Sequence, residues 1–231
     1  MRPVAIPAAL RYQSRKGAFA RRLLARRGAV MAHLPAQARD DLALVHETRS
    51  RTALLMTDAA ALHLIACARA AARLGGTMAE AGVLMGGSAR LIAAVKGAAP
   101  LHLFDVFETL QAHDATRSAV AAHFGPVHGT LAAVADLLSP FAGIALHPGI
   151  FPQSAAGLED LRFAFVHIDL DLPEGTRAAL EFFHPRLLPG GILVGDDYAD
   201  PGVCATFETF FAEKPETLIA LPWNQGMIVK R

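Results

Sequence analysis

The apolar run from Phe163 to Ile168 ends in two carboxylates, Asp169 and Asp171, within the stretch FVHIDLDLPEGT. Side chains alternate along a strand, so residues spaced i, i+2 project to the same side. Two like charges there repel unless a cation lies among them. A second apolar run, in GGILVGDDYAD, also ends in acids, Asp196 and Asp197. If the two runs are neighbouring strands, their ends lie about 5 Å apart. Asp169, Asp196 and Asp197 can then converge on one ion. Hard oxygen ligands favour Mg2+, with Ca2+ or Mn2+ as alternatives. Solvated or helix-capping acids are the plainer reading, but four carboxylates on two strand ends sit poorly with it.

Two further features flank this set. Glu80-x-Gly82-x-x-x-Gly86-Gly87-Ser88 reads as a strand, a glycine loop and the start of a helix. Glycines there let a ligand approach the backbone, and a helix N-terminus favours a carboxylate or phosphate. The spacing differs from the G-x-G-x-x-G of dinucleotide binders, and no lysine sits where a P-loop requires one. Asp105 closes the run LHLFD, about 20–25 residues past the loop, where an acid typically hydrogen-bonds ribose hydroxyls. Alone, Asp105 reads equally well as a helix cap. Together with the glycine loop it points to an adenosine-containing cofactor. His123 and His128 flank a Gly-Pro turn and read as surface residues. His167, inside the apolar run, reads as a satisfied core histidine rather than a ligand.

The elements that must position these residues alternate in type. Thr57-Asp58 is an N-cap pair for a helix over AAALHLIACARAAARL, stopped by Gly75-Gly76. Strand patterns follow in TMAEAGVL, LHLFDVF, GIALHPG, FAFVHIDLD and GILVGDD. Between them lie helical patterns in ARLIAAVKG, ATRSAVAAHF, GTLAAVADLL and TRAALEFFHPRL. CATFETFFAE is a last helix, and LIALPW with GMIVKR forms a closing antiparallel hairpin. Strands alternating with helices predict an α/β fold: a doubly wound, mainly parallel, Rossmann-like sheet with helices on both faces. Ligands of such sheets bind at the carboxyl ends of the strands. Every unusual residue above falls there. Residues 1–50 read as an N-terminal helical extension or lid, and 51–231 as the main domain.

Bulk properties narrow the function classes. A chain of 231 residues, 53% hydrophobic, can bury one sizeable core. No apolar run reaches the roughly 18–20 residues that span a bilayer, and no signal peptide is recognisable, so no membrane span is expected. Cys67 and Cys204, far apart in apolar helical contexts, fit a reducing cytoplasm. A net charge of +1 argues against nucleic acid as a partner. One asymmetry stands out: Arg2, Arg11, Arg15, Lys16, Arg21, Arg22, Arg26 and Arg27 all precede the first acid, Asp40. A solvated helical face is the plainer explanation, and a docking surface for an anionic partner the other.

From about LLMTDAAALHLI to the C-terminus, the chain resembles the macrocin O-methyltransferase family of class I S-adenosylmethionine-dependent methyltransferases. The blocks that carry it are EAGVLMGGSARL, LFDVFETL, FVHIDLDLPEGTRAALEFFHPRLLPGGILVGDDYADPG and, more weakly, HPGIFPQS. The resemblance implies a pocket for S-adenosylmethionine formed with Glu80, Gly82, Gly86, Ser88, Asp105 and Gly149. It implies Mg2+ on Asp169, Asp196 and Asp197, with Asp171 as general base. The expected acceptor is a hydroxyl of a small molecule, a sugar or vicinal diol of a natural product or glycan. A homo-oligomer is compatible with it. The chain departs from the family at Pro173, where a tyrosine is usual, at Leu84-Met85, at Val106 and at Thr109. A phosphatase of the haloacid dehalogenase type also uses a strand-end Asp-x-Asp, but no lysine lies between Asp171 and Asp196. A non-catalytic relative that only binds the cofactor is the remaining alternative.

Overall fold

The computed structural model describes residues 15–30, 32, 34–107 and 130–231. The chain forms two compact units, Met1–Ala43 and Leu44–Arg231. Helix α1 (Arg15–Ala25) belongs to the first, with Phe19 and Leu23 exposed. Helix α2 (Ala36–Arg51) runs through the boundary between the units. Packing explains this: Val45 is buried with Leu54, Ala61, Ile65 and Leu91 of the second unit. Arg90 also reaches back to the Thr48 hydroxyl at 2.6 Å and the Glu47 carboxylate at 2.8 Å.

Thr57 caps helix α3 (Asp58–Ala71) by accepting the Ala60 N–H at 3.2 Å, as the Thr-Asp pair predicts. Seven strands then build one sheet. They are β1 (Thr77–Ala81), β2 (Leu101–Asp105), β3 (Ile144–Pro148), β4 (Phe163–Ile168), β5 (Leu187–Gly195), β6 (Ile219–Leu221) and β7 (Gln225–Val229). Their order is β3-β2-β1-β4-β5-β7-β6, with β1 to β5 parallel and β7 antiparallel between β5 and β6. The order reverses between β1 and β4. That is the switch point at which doubly wound sheets bind ligands.

Residue alternation sorts the core into two layers. On one face Met78, Phe165 and Val194 pack with α3, α4 (Gly87–Val95) and α5 (Thr130–Leu138) through Leu64, Ile92 and Val134. On the other, Ala79, Val166 and Leu193 meet α6 (Pro173–Phe183) and α7 (Pro201–Phe211) through Leu180, Phe183 and Phe207. Period two therefore puts Glu80, His167 and Asp196 on the α3 side, with Met78, Phe165 and Val194.

Several boundaries differ from the sequence expectation, β4 among them, which ends at Ile168 and not at Asp171. β1 stops at Ala81 because Gly82 and Leu84 turn to positive φ, 89° and 49°. α6 and α7 each begin earlier, on Pro173 and Pro201, which are well suited to the first helical position. β5 begins at Leu187 rather than near Gly191. The helix read over 115–124, with His123 and His128, lies outside the described residues. Among the described residues no helix is long and apolar enough to cross a membrane. Cys67 and Cys204 are both free.

Candidate active site

Glu80, the glycine loop, Asp105, Gly149, Asp169, Asp171, Asp196 and Asp197 all lie at or just past the carboxyl ends of the parallel strands. Each of the five strands is followed there by a positive φ: Leu84 (49°) after β1, Phe107 (53°) after β2, Gly149 (135°) after β3, Asp171 (58°) after β4 and Asp197 (57°) after β5. Such backbone is uncommon outside glycine and concentrates at functional sites. Ladder bonds extend one residue past the strands. The Asp169 N–H donates to the Ala81 carbonyl at 2.8 Å, and the Asp196 N–H to that of Ile168 at 2.9 Å. Both acids are thereby fixed to the sheet.

Carboxylate oxygens of Asp169, Asp171 and Asp197 lie within 4.8 Å of one another, and so do ligand atoms of His167, Asp169 and Asp196. The trio read from the sequence is thus divided between two groups that share Asp169. Burial first, and mutual repulsion second, show in the protonation of three of these acids. Loss of water raises Asp171 first, then its hydrogen bond with Asp197 and the charges of Asp197, Asp196 and Asp105, to about 7. Asp169 is raised well above the usual carboxylate range by burial, against the pull of His167. Asp196 is raised for the same first reason. One imidazole faces four acids, and such an oxygen-rich set suits a hard divalent cation.

Beneath the acids lies a pair the sequence does not announce. His167 is fully buried, and its Nδ1 donates to Glu80 Oε1 at 2.7 Å, across the β1–β4 register. Glu80 Oε2 and His167 Nε2 are buried without partners. His167 is therefore not the satisfied core histidine of the sequence reading. Burial pulls its pKa down, but the hydrogen bond to Glu80 and the charges of Glu80, Asp169 and Asp196 win, lifting it to about 9. Read as a strand, positions 167, 169 and 171 share a face, and this was the available signal, although β4 stops at Ile168 and Asp171 turns to positive φ.

The glycine loop is held by close contacts with its protein neighbours. A Cβ on Gly82 would overlap the Asp169 carbonyl, so this glycine lets β1 and the β4 end approach each other. At Gly86, the left-handed N-cap of α4 (φ 78°), a Cβ would face Val134 and Leu137 of α5. Both glycines thus have protein neighbours that a side chain would crowd. The loop's N–H groups remain relevant, because Gly86 offers no side-chain cap to the first turn of α4, where Ser88 is buried. Asp105 accepts from Val83 N–H (2.7 Å), Leu84 N–H (2.8 Å) and Phe107 N–H (3.0 Å), so its carboxylate clamps the loop. Thr52 adds a hydrogen bond to the Met85 carbonyl at 2.6 Å, and Gly87 abuts the Ala53 carbonyl. Glu80 Oε2, orphaned under this loop, is the acceptor that a polar ligand would satisfy.

The hairpin turn supplies residues missed entirely. Asn224 Nδ2 donates to Asp197 Oδ1 at 3.3 Å, while its Oδ1 accepts the Ala199 N–H at 2.6 Å. Gln225 is fully buried beside it.

A family model described as a methyltransferase domain matches residues 79–198, from β1 through the acids after β5. The chain belongs to this methyltransferase family. A curated relative from Streptomyces olivaceus, 8-demethyl-8-(2,3-dimethoxy-alpha-L-rhamnosyl)-tetracenomycin-C 4'-O-methyltransferase, is 46% identical over 52 residues, 22% of this chain. The match spans only 20% of that relative's length. Among solved structures, the O-methyltransferase NovP matches with a TM-score of 0.63 at 15% identity, over 84% of this chain and 98% of NovP. CalS11, a TDP-rhamnose 3'-O-methyltransferase of calicheamicin biosynthesis, matches with a TM-score of 0.53 at 18% identity, over 86% and 96% of the two chains. At such identities the likeness speaks to the fold: the Rossmann-like methyltransferase sheet expected from the sequence. The haloacid dehalogenase reading loses its basis.

Proposed function

We propose that this methyltransferase transfers the methyl group of S-adenosylmethionine to a hydroxyl of a small molecule, a sugar or vicinal diol, with Mg2+ held at the strand-end acids. The observation that carries the proposal is the convergence of Asp169, Asp171, Asp196 and Asp197 after two neighbouring strands. The relatives named for rhamnosyl and TDP-rhamnose methylation support a sugar acceptor. Bound S-adenosylmethionine would supply an electrophilic methyl group, and bound Mg2+ would lower the pKa of chelating hydroxyls. Asp169, Asp196 and Asp197 would hold the ion, with Asn224 orienting Asp197.

Asp171 would receive the hydroxyl proton on its carboxylate. Its pKa of about 7 lies near working pH, where a general base is most effective. The uncapped first turn of α4 would bind the negative end of the cofactor's methionine part. Gly149, in the turn after β3, would complete the cofactor pocket with Glu80, Ser88 and the Asp105-clamped loop. Much of the rate would come from positioning on these rigid strand ends.

Calorimetry with S-adenosylhomocysteine tests the cofactor, and mass spectrometry of rhamnosyl acceptors with labelled S-adenosylmethionine tests turnover. Binding with no turnover on any diol-bearing acceptor would leave a cofactor-binding protein. Absence of binding would refute the proposal.

A further inference from the structure

A polar cluster outside the acids links α3 to the hairpin. Trp223 Nε1 lies 3.1 Å from Gln225 Oε1, and His63 Nδ1 lies 2.8 Å from the same oxygen. His63 Nε2 is 3.2 Å from Cys67 Sγ. Chemistry fixes every direction. An indole N–H only donates, so the Gln225 atom facing it is the amide oxygen. That oxygen accepts, so His63 Nδ1 carries a proton. Burial keeps His63 below its ordinary pKa despite the Gln225 hydrogen bond, so the ring is neutral and Nε2 accepts from the Cys67 thiol.

Two donors thus lock the Gln225 amide, and its nitrogen is turned away from both. That nitrogen is buried with no partner at hydrogen-bond length. Register shows what it faces. The antiparallel β5–β7 pairing sets Val194 opposite Met227 and Gly195 opposite Gly226. One step further, Asp196 stands opposite Gln225, and directly opposed side chains share a face.

We propose that Gln225 is a positioning residue whose locked amide presents its unpartnered NH2 to Asp196 and sets the orientation in which that carboxylate meets a divalent cation. This rests on the metal reading above. It also makes Trp223, the chain's one tryptophan, a reporter joined to Asp196 through a single amide.

Gln225→Met keeps the side-chain length and removes the amide. Calorimetric titration with Mg2+ should show affinity about 10–100-fold weaker than wild type, the usual effect of losing a group that orients a metal ligand. Affinity for S-adenosylhomocysteine should not change. Trp223→Phe, which frees the amide to turn, should weaken Mg2+ binding by less. In EDTA, Asp196→Asn should shift Trp223 emission in the wild-type background but not in Gln225→Met. Equal Mg2+ affinity in Gln225→Met, or an equal emission shift in both backgrounds, overturns the proposal. If no form binds Mg2+ while the emission coupling persists, the Gln225–Asp196 link stands and the metal reading falls.

Discussion

Replacing His167 with glutamine should flatten the dependence of stability on pH in the metal-free protein. The imidazole is fully buried, 2.7 Å from Glu80, with Asp169 and Asp196 close by. Burial opposes its charge, yet the Glu80 hydrogen bond and the three acids outweigh burial and raise the pKa from 6.5 to about 9. A folded-state pKa above the unfolded value means that folding takes up a proton. The resulting stability is fully present below pH 6.5 and is lost as pH rises through about 9. At about 1.4 kcal/mol per pH unit, the difference amounts to about 3 kcal/mol, a large part of the 5–15 kcal/mol typical of a domain. Glutamine can still donate to Glu80 but has no titrating proton. Urea unfolding in EDTA at about pH 6 and about pH 9 should therefore show wild type losing about 3 kcal/mol more than His167→Gln. Parallel losses in the two proteins would refute a charged Glu80–His167 pair.

Asp169→Asn should weaken Mg2+ binding, with activity partly restored by excess metal, whereas Asp171→Asn should keep metal affinity and lose about 10²–10⁴-fold in kcat; calorimetry and initial rates separate the two. Gly82→Ala should cost about 3 kcal/mol or more in chemical denaturation, because φ is 89° and the new Cβ meets the Asp169 carbonyl. Burial opposes ionisation of Glu216, but Lys230 at 3.0 Å and His184 at 3.2 Å lower its pKa from 4.5 to about 2. Its contribution is present above pH 4.5 and lost as pH falls towards 2, so Glu216→Gln should cost up to about 3 kcal/mol at neutral pH and soften the acid transition.

The sheet and its acids were legible because an apolar run that stops at a carboxylate is a local signal. β4 and β5 carry that signal, and their parallel pairing brings Asp169 beside Asp196 as the alternation of strands and helices requires. The reasons for the glycines were not legible. Gly82 and Gly86 look alike in sequence, yet one clears a neighbouring strand and the other clears α5, and both contacts are non-local. His167 looked inert because its partner, Glu80, lies on another strand. Asn224 and Gln225 depend on hairpin register, which a three-residue turn between short strands does not reveal. Helix starts at Pro173 and Pro201 slipped because proline reads as a breaker until its place at the first helical turn is known.

Metal-assisted methyl transfer to a hydroxyl requires both the cofactor and the ion. Its most direct test follows radiolabelled methyl from S-adenosylmethionine into a rhamnosyl acceptor carrying a vicinal diol, in protein stripped with EDTA and then resupplied with Mg2+. The account predicts labelled ether only after Mg2+ is restored. Undiminished transfer in EDTA would contradict it.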